Sequence, residues 1–129
     1  MRIKLTSLMV DDQDKALKFY TDILGFRKKN EFPAGAYKWL TVVSPERPDD
    51  IELSLEPNAN PAAKTFQQAM FEQKIPLAAF EVSDIEKEYA ILASAGVVFT
   101  TKPTPMGPVT IVVLSDTCGN LIQLYQPTI

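Results

Sequence analysis

A chain of 129 residues, 46% hydrophobic and 22% charged, is sized for one globular domain with a real core and is too short for two independent ones. No apolar run approaches the length of a membrane span, and a net charge of −3 with a pI near 4.9 gives no electrostatic reason to bind a nucleic-acid backbone or an anionic membrane. Histidine is absent and cysteine occurs once, at Cys118, which excludes Ser-His and Cys-His nucleophile pairs, an internal disulfide and a multi-thiolate zinc site.

The start, Met1 to Leu5, has no apolar leader, so a cytoplasmic location is expected. Arg2 to Val10 reads as a strand, and Asp11-Asp12 places capping carboxylates before an amphipathic run. A helix over Gln13 to Leu24 is predicted, with Ala16, Leu17, Tyr20, Ile23 and Leu24 on one face and Gly25 ending it. Three strands follow, at about Phe26–Glu31, Ala36–Ser44 and Ile51–Glu56. The triplet Arg27-Lys28-Lys29 reads as a solvated strand face. Asn60-Pro61 then opens a linker helix, over about 60–74, with Ala62, Phe66, Ala69 and Met70 as its stripe.

From Leu77 the order repeats. A strand runs to Val82, Ser83-Asp84-Ile85-Glu86 offers a capping box, and a helix with Ile85, Tyr89 and Leu92 inward ends at Gly96. Strand signals return at Val97–Thr101, Val109–Leu114 and Leu121–Gln126, with a turn at Asp116 to Asn120 that includes Cys118. Between them the stretch 102–108, stiffened by three prolines, is either a rim over the second half or a fixed connection. The interval from Val10 to Glu52 is one residue longer than that from Val82 to Gln123, and the same offset separates Val10 to Gly25 from Val82 to Gly96. The second half therefore copies the first as βαβββ, with a one-residue difference located before the helix-ending glycine. A single domain over 1–129 is expected, with module one at about 1–57 and module two at about 76–129.

The segment Val10-Asp11-Asp12-Gln13-Asp14-Lys15-Ala16-Leu17-Lys18-Phe19-Tyr20, with Leu24-Gly25-Phe26, resembles the first-module signature of the vicinal-oxygen-chelate superfamily. Phe80 to Ile85 and Asp116 to Leu124 resemble its second-module signatures. That superfamily includes glyoxalase I, bleomycin-binding resistance proteins, fosfomycin-modifying transferases and extradiol dioxygenases. The resemblance implies an α+β fold of two tandem βαβββ modules forming a cupped mixed sheet with flanking helices, and assembly as a homodimer. It implies no single reaction, because one scaffold hosts several chemistries. In metal-dependent members the metal is carried from the first and last strand of each module, which corresponds here to Leu5, Glu52, Leu77 and Gln123. Two leucines replace the usual imidazoles. A carboxylate and an amide fall short of the three protein ligands of a catalytic zinc site, so no metal or other cofactor is expected.

Strand alternation sorts the faces independently of the resemblance. Ile51, Leu53 and Leu55 should meet the helix, which leaves Glu52, Ser54 and Glu56 on the other side. Leu5, Ser7 and Met9 share a face, as do Leu77, Ala79 and Glu81, and Gln123 and Tyr125. Leu5, Leu77 and Met9 read as packing or pocket wall, and Glu56 as solvated. Tyr37, Trp39, Phe32 and Tyr125 either wall a site for a planar ligand or fill the core. The candidate ligand-binding residues are Ser7, Trp39, Glu52, Ser54, Glu81, Gln123 and Tyr125. The expected function is metal-free sequestration of a small molecule in an acidic, aromatic cup. The alternative is a glyoxalase-like lyase or isomerase with Glu52 as catalytic base or metal ligand; extradiol dioxygenase chemistry is excluded by the missing histidines.

Overall fold

Two aspartates fix the start of each copy. In the computed structural model, which describes residues 1–128, Asp12 caps helix α1 (Gln13–Lys18) by accepting the Lys15 N–H, and Asp84 caps α3 (Ile85–Ser94) by accepting that of Lys87. The second cap is thus Asp84, not Ser83, in register with Asp12. Helix α1 does not continue to Leu24 as an α-helix. It passes into a π-helical turn over Phe19–Ile23, closed by a bond from Leu24 N–H to Phe19 O. A π turn encloses one residue more than an α turn. That residue is the length difference between the two halves, because each helix then ends on a left-handed glycine, Gly25 at φ 85° and Gly96 at φ 90°. The turn also shifts the buried face, so that the consecutive Phe19 and Tyr20 are both buried with Ala16.

The chain forms two compact units, Met1–Gln67 and the part from Gln68 onward. In the first, strands β1 (Leu5–Val10), β2 (Arg27–Ala34), β3 (Tyr37–Val43) and β4 (Glu52–Pro57) make a mixed sheet ordered β1-β4-β3-β2. β1 and β4 are parallel; β4, β3 and β2 are antiparallel. Leu8, Val10, Leu40, Val42 and Leu55 are buried on the face that meets α1. The second unit repeats the arrangement with β5 (Ala78–Glu81), β6 (Thr104–Met106), β7 (Val109–Ser115) and β8 (Leu121–Pro127), ordered β5-β8-β7-β6. Val112, Leu114, Ile122 and Leu124 are buried on the side of α3, with Ile85 and Leu92. The fold class read from sequence is the one observed.

Three local readings are corrected. The sixth strand lies at Thr104–Met106, inside the proline-rich stretch, whereas Val97–Thr101 contributes a single bridge, Phe99 to Leu114. Pro105 is tolerated because β6 is an edge strand paired only with β7. In the linker helix α2 (Pro61–Glu72), Phe66 is exposed and Gln67 is the buried residue. Its amide donates to Met9 O at 2.9 Å and accepts from Asn58 at 2.7 Å, fastening α2 to the first unit. In β4, Leu53 is only half-buried while Ser54 is buried, and Ile51 lies outside the strand and is exposed. The turn after β7 is held by Asp116, fully buried, whose Oδ1 accepts from Cys118 N–H at 2.7 Å and Asn120 N–H at 3.0 Å and whose Oδ2 accepts from Asn120 Nδ2 at 2.8 Å.

Candidate functional site

Side chains at paired sheet positions point to the same side, so the register sorts the face opposite α1. Leu5, Ser7 and Met9 lie beside Glu52, Ser54 and Glu56. Thr41 and Val43 pair with Ser54 and Glu52, and Trp39 and Tyr37 continue the same face along β3. On β2 the ladder slips between Lys28 and Asn30, a bulge that turns Lys29 out of the pairing. Lys29 instead reaches Pro48 O at 3.0 Å and Asp49 at 3.1 Å. Asn30 takes the place opposite Thr41 and therefore joins Glu52.

The result is a carboxylate held by its strand neighbours. Glu52 Oε1 accepts from Thr41 Oγ1 at 2.8 Å and from Asn30 Nδ2 at 3.0 Å, and Asn30 Nδ2 also lies 3.3 Å from Thr41 Oγ1. Thr41 is fully buried and Glu52 half-buried. Both bonds fall on one oxygen, so Oε2 has no hydrogen-bond donor among the described residues. Two pairs further along the β2–β3 ladder, Phe32 and Trp39 stack with ring centroids 6.4 Å apart and planes 24° from parallel. These rings are not core: Phe32 is 52% exposed, Trp39 37% and Tyr37 50%. The face thus combines an anchored carboxylate with an exposed aromatic surface that begins two residues along β3 from its Thr41 donor.

On the opposite face Lys38 binds Asp14 at 2.6 Å and Glu31 at 2.9 Å, and Glu31 also binds Lys28 at 2.8 Å. The hydrogen bonds from Lys28 and Lys38 hold the Glu31 carboxyl below its ordinary range, and those to Asp14 and Glu31 raise Lys38. The group ties α1 to β2 and β3.

In the second unit Ala79 pairs with Gln123 and Glu81 with Tyr125, with Val113 and Ile111 on the far side of β8. Leu77 lies one step earlier, its N–H donating to Leu121 O at 3.0 Å. Pro76, Leu77, Ala78, Ala79 and Gln123 line a shallow depression of about 290 Å³. Glu81 is exposed, and Gln123 and Tyr125 are half-buried.

The model of the glyoxalase/bleomycin resistance protein/dioxygenase superfamily matches residues 2–124. The chain belongs to that superfamily. A Bacillus subtilis (strain 168) relative, the uncharacterized protein YurT, is 55% identical over 126 residues, which is 98% of this chain and 99% of the relative. Among solved structures, UcmS2 superposes with a TM-score of 0.83 at 29% identity, covering 97% of each chain. TnmS3, an antibiotic binding protein from Streptomyces sp. CB03234, superposes with a TM-score of 0.79 at 26% identity, covering 99% of this chain and 97% of its own.

The superfamily raises the question of a metal, and the donor set does not fit one. Of the four corresponding positions, Leu5 and Leu77 carry no donor atom, and Glu52 Oε1 already accepts two hydrogen bonds. Among the described residues no group of three or more Cys, Asp or Glu side chains is placed to hold an ion. The candidate residues read from sequence fall into two sets: Ser7, Trp39, Glu52 and Ser54 share the face of the first sheet, and Glu81, Gln123 and Tyr125 that of the second. Sequence reading missed Asn30 and Thr41. Thr41 was open to discovery, because alternation from Trp39 puts it on the same face. Asn30 was not, because its placement depends on the bulge.

Proposed function

We propose that this chain is a small-molecule-binding protein that sequesters its ligand without a metal, using Trp39, Glu52, Ser7 and Ser54 on the first sheet; Glu81, Gln123 and Tyr125 are separate candidate positions on the second. One observation carries this reading: Glu52 is tied through one oxygen to Asn30 and Thr41, its other oxygen is left for a donor, and the exposed Phe32–Trp39 stack lies on the same sheet face, two residues along β3 from Thr41. A carboxylate fixed before the ligand arrives loses little freedom on binding. A flat ring on Trp39 together with an N–H or O–H group on Glu52 is the ligand chemistry that matches. The antibiotic binding recorded for TnmS3 supports the class. The protein is expected to act in the cytoplasm as a homodimer; the sheets end on edge strands, β1 and β2 in the first and β5 and β6 in the second, and an edge offers unpaired backbone to a second chain.

The test uses the single tryptophan. Planar aromatic cations such as proflavine, and thiol adducts of α-keto aldehydes, are titrated while Trp39 emission and melting temperature are followed. A binder at one hundred times its Kd should stabilise the fold by about 2.7 kcal/mol. Quenching of Trp39 with stabilisation and no chemical change supports sequestration. Turnover of a thiol adduct that is lost in Glu52→Gln puts the lyase reading in its place.

A further inference from the structure

The ladder between β3 and β4 stops early. Only Thr41, Val42 and Val43 pair with Ser54, Leu53 and Glu52, although β3 begins at Tyr37 and β4 continues to Pro57. Past Ser54, β4 stays paired with β1 to its end, and the first half of β3 stays paired with β2. The sheet therefore forks into two arms. Continued in register, the ladder would set Trp39 directly opposite Glu56.

Gln13, the first residue of α1 and 8% exposed, fills the fork. Its Nε2 donates to Lys38 O at 2.8 Å and to Leu55 O at 2.8 Å, and its Oε1 accepts the Lys38 N–H at 3.2 Å. Giving and receiving a bond with one residue is what a strand residue does in a hydrogen-bonded antiparallel pair. The glutamine side chain thus replaces a backbone amide of the interrupted ladder, and it binds both arms at once. No other side chain of similar length does this. Glutamate cannot donate to two carbonyls, asparagine is one methylene shorter, and leucine leaves three backbone groups without partners.

We propose that Gln13 is a positioning residue that fixes the spread of the two arms and so sets the slot between Trp39 on β3 and Glu56 on β4. The slot's width governs how a flat ligand lies against Trp39 while it reaches Glu52; this consequence rests on the binding function proposed above, whereas the staple itself does not.

The experiment compares Gln13→Glu and Gln13→Leu with Gln67→Leu. Gln67 is a second buried glutamine that bonds to backbone, at Met9 O on the β1 side of the β4 arm rather than between the two arms. Folding is checked by circular dichroism. Acrylamide quenching of Trp39 and hydrogen exchange of the Lys38 amide are then read without any ligand. Both Gln13 variants should change Trp39 quenching, and Gln13→Leu should speed Lys38 exchange about tenfold or more. Gln67→Leu should lower stability and leave both readings at their wild-type values. Folded Gln13 variants with unchanged Trp39 and Lys38 overturn the proposal, as does a Gln67→Leu protein that moves Trp39 as far. Should neither Gln13 variant fold, the native protein decides: Lys38 exchange as slow as that of Val42 supports the staple, and exchange at the rate of an unpaired amide refutes it. Proflavine is titrated separately. Weakening of about three- to tenfold in Gln13→Glu, the loss of one oriented contact, is expected. Absence of binding to the wild type counts against the binding function alone.

Discussion

Replacing Thr41 by valine asks whether Glu52 is held by its neighbours. Valine keeps the branched shape and the preference for a strand, and it deletes only the hydroxyl that donates to Glu52 at 2.8 Å. Thr41 is fully buried, so water does not replace the lost donor easily. A hydrogen bond to a charged group contributes about 1.5–3 kcal/mol. Glu52 is half-buried and partly screened, which puts this bond near the lower end, at about 1.5 kcal/mol. In Glu52→Gln the amide oxygen accepts a neutral bond about half as strong, so Thr41→Val in that background should cost about 0.7 kcal/mol. The difference, about 0.8 kcal/mol, exceeds the ~0.3–0.5 kcal/mol within which independent sites add. Urea unfolding of the four proteins at neutral pH, with a common m-value, measures it. Equal costs of Thr41→Val in both backgrounds would refute a charge-assisted lock on Glu52.

Asp116→Ala should cost at least ~3 kcal/mol in urea unfolding, because it strands three buried donors at Cys118 and Asn120. The Lys38 network makes stability depend on pH at both extremes. Glu31 has a lowered folded pKa, so its contribution is present above 4.5 and is lost as pH falls through the folded value. Lys38 is raised, so its contribution is present below 10.5 and is lost as pH rises through the folded value. Thermal melts across the pH range should therefore show both limbs in the wild type, while Lys38→Met removes the alkaline limb and softens the acid one, leaving Lys28 on Glu31. Dialysed protein should carry far less than one equivalent of Ni, Zn, Mn, Fe or Co, and stoichiometric metal dependent on Glu52 would overturn the metal-free reading.

The parts of this fold legible in the sequence are those governed by neighbours along the chain. Asp12 and Asp84 cap their own helices, Gly25 and Gly96 end them, and the alternation of β4 separates Glu52 from Leu55. Even the π turn left a trace, as the extra residue between Asp12 and Gly25. The features that escaped depend on partners distant in sequence. The stripe reading chose Phe66 over Gln67 because it ranks side chains by hydrophobicity, whereas Gln67 is buried by two hydrogen bonds. The bulge at Lys29 goes together with contacts to Pro48 and Asp49, distant in sequence, and without it Asn30 would not stand opposite Thr41. Gln13 sits within the resembling segment, yet its role needs the coordinates of Lys38 and Leu55.

The two halves share a chain spacing but not a sheet register. Leu5 stands directly beside Glu52, while Gln123 has Ala79 beside it and Leu77 lies two residues earlier along β5. The copies therefore offer different chemistry on corresponding faces. In the second, an uncharged amide borders alanine and leucine over a shallow depression. In the first, a half-buried carboxylate stands beside Leu5, and burying its charge without a partner would be costly. The bulge brings Asn30 and alternation brings Thr41 to supply two donors, so Glu52 is held by local hydrogen bonds. A carboxylate fixed in this way keeps one oxygen without a donor among the described residues, on a face that also carries rings the core does not use. The polar end of a bound ligand is accordingly expected on the first module, at Glu52, with its flat body on Trp39.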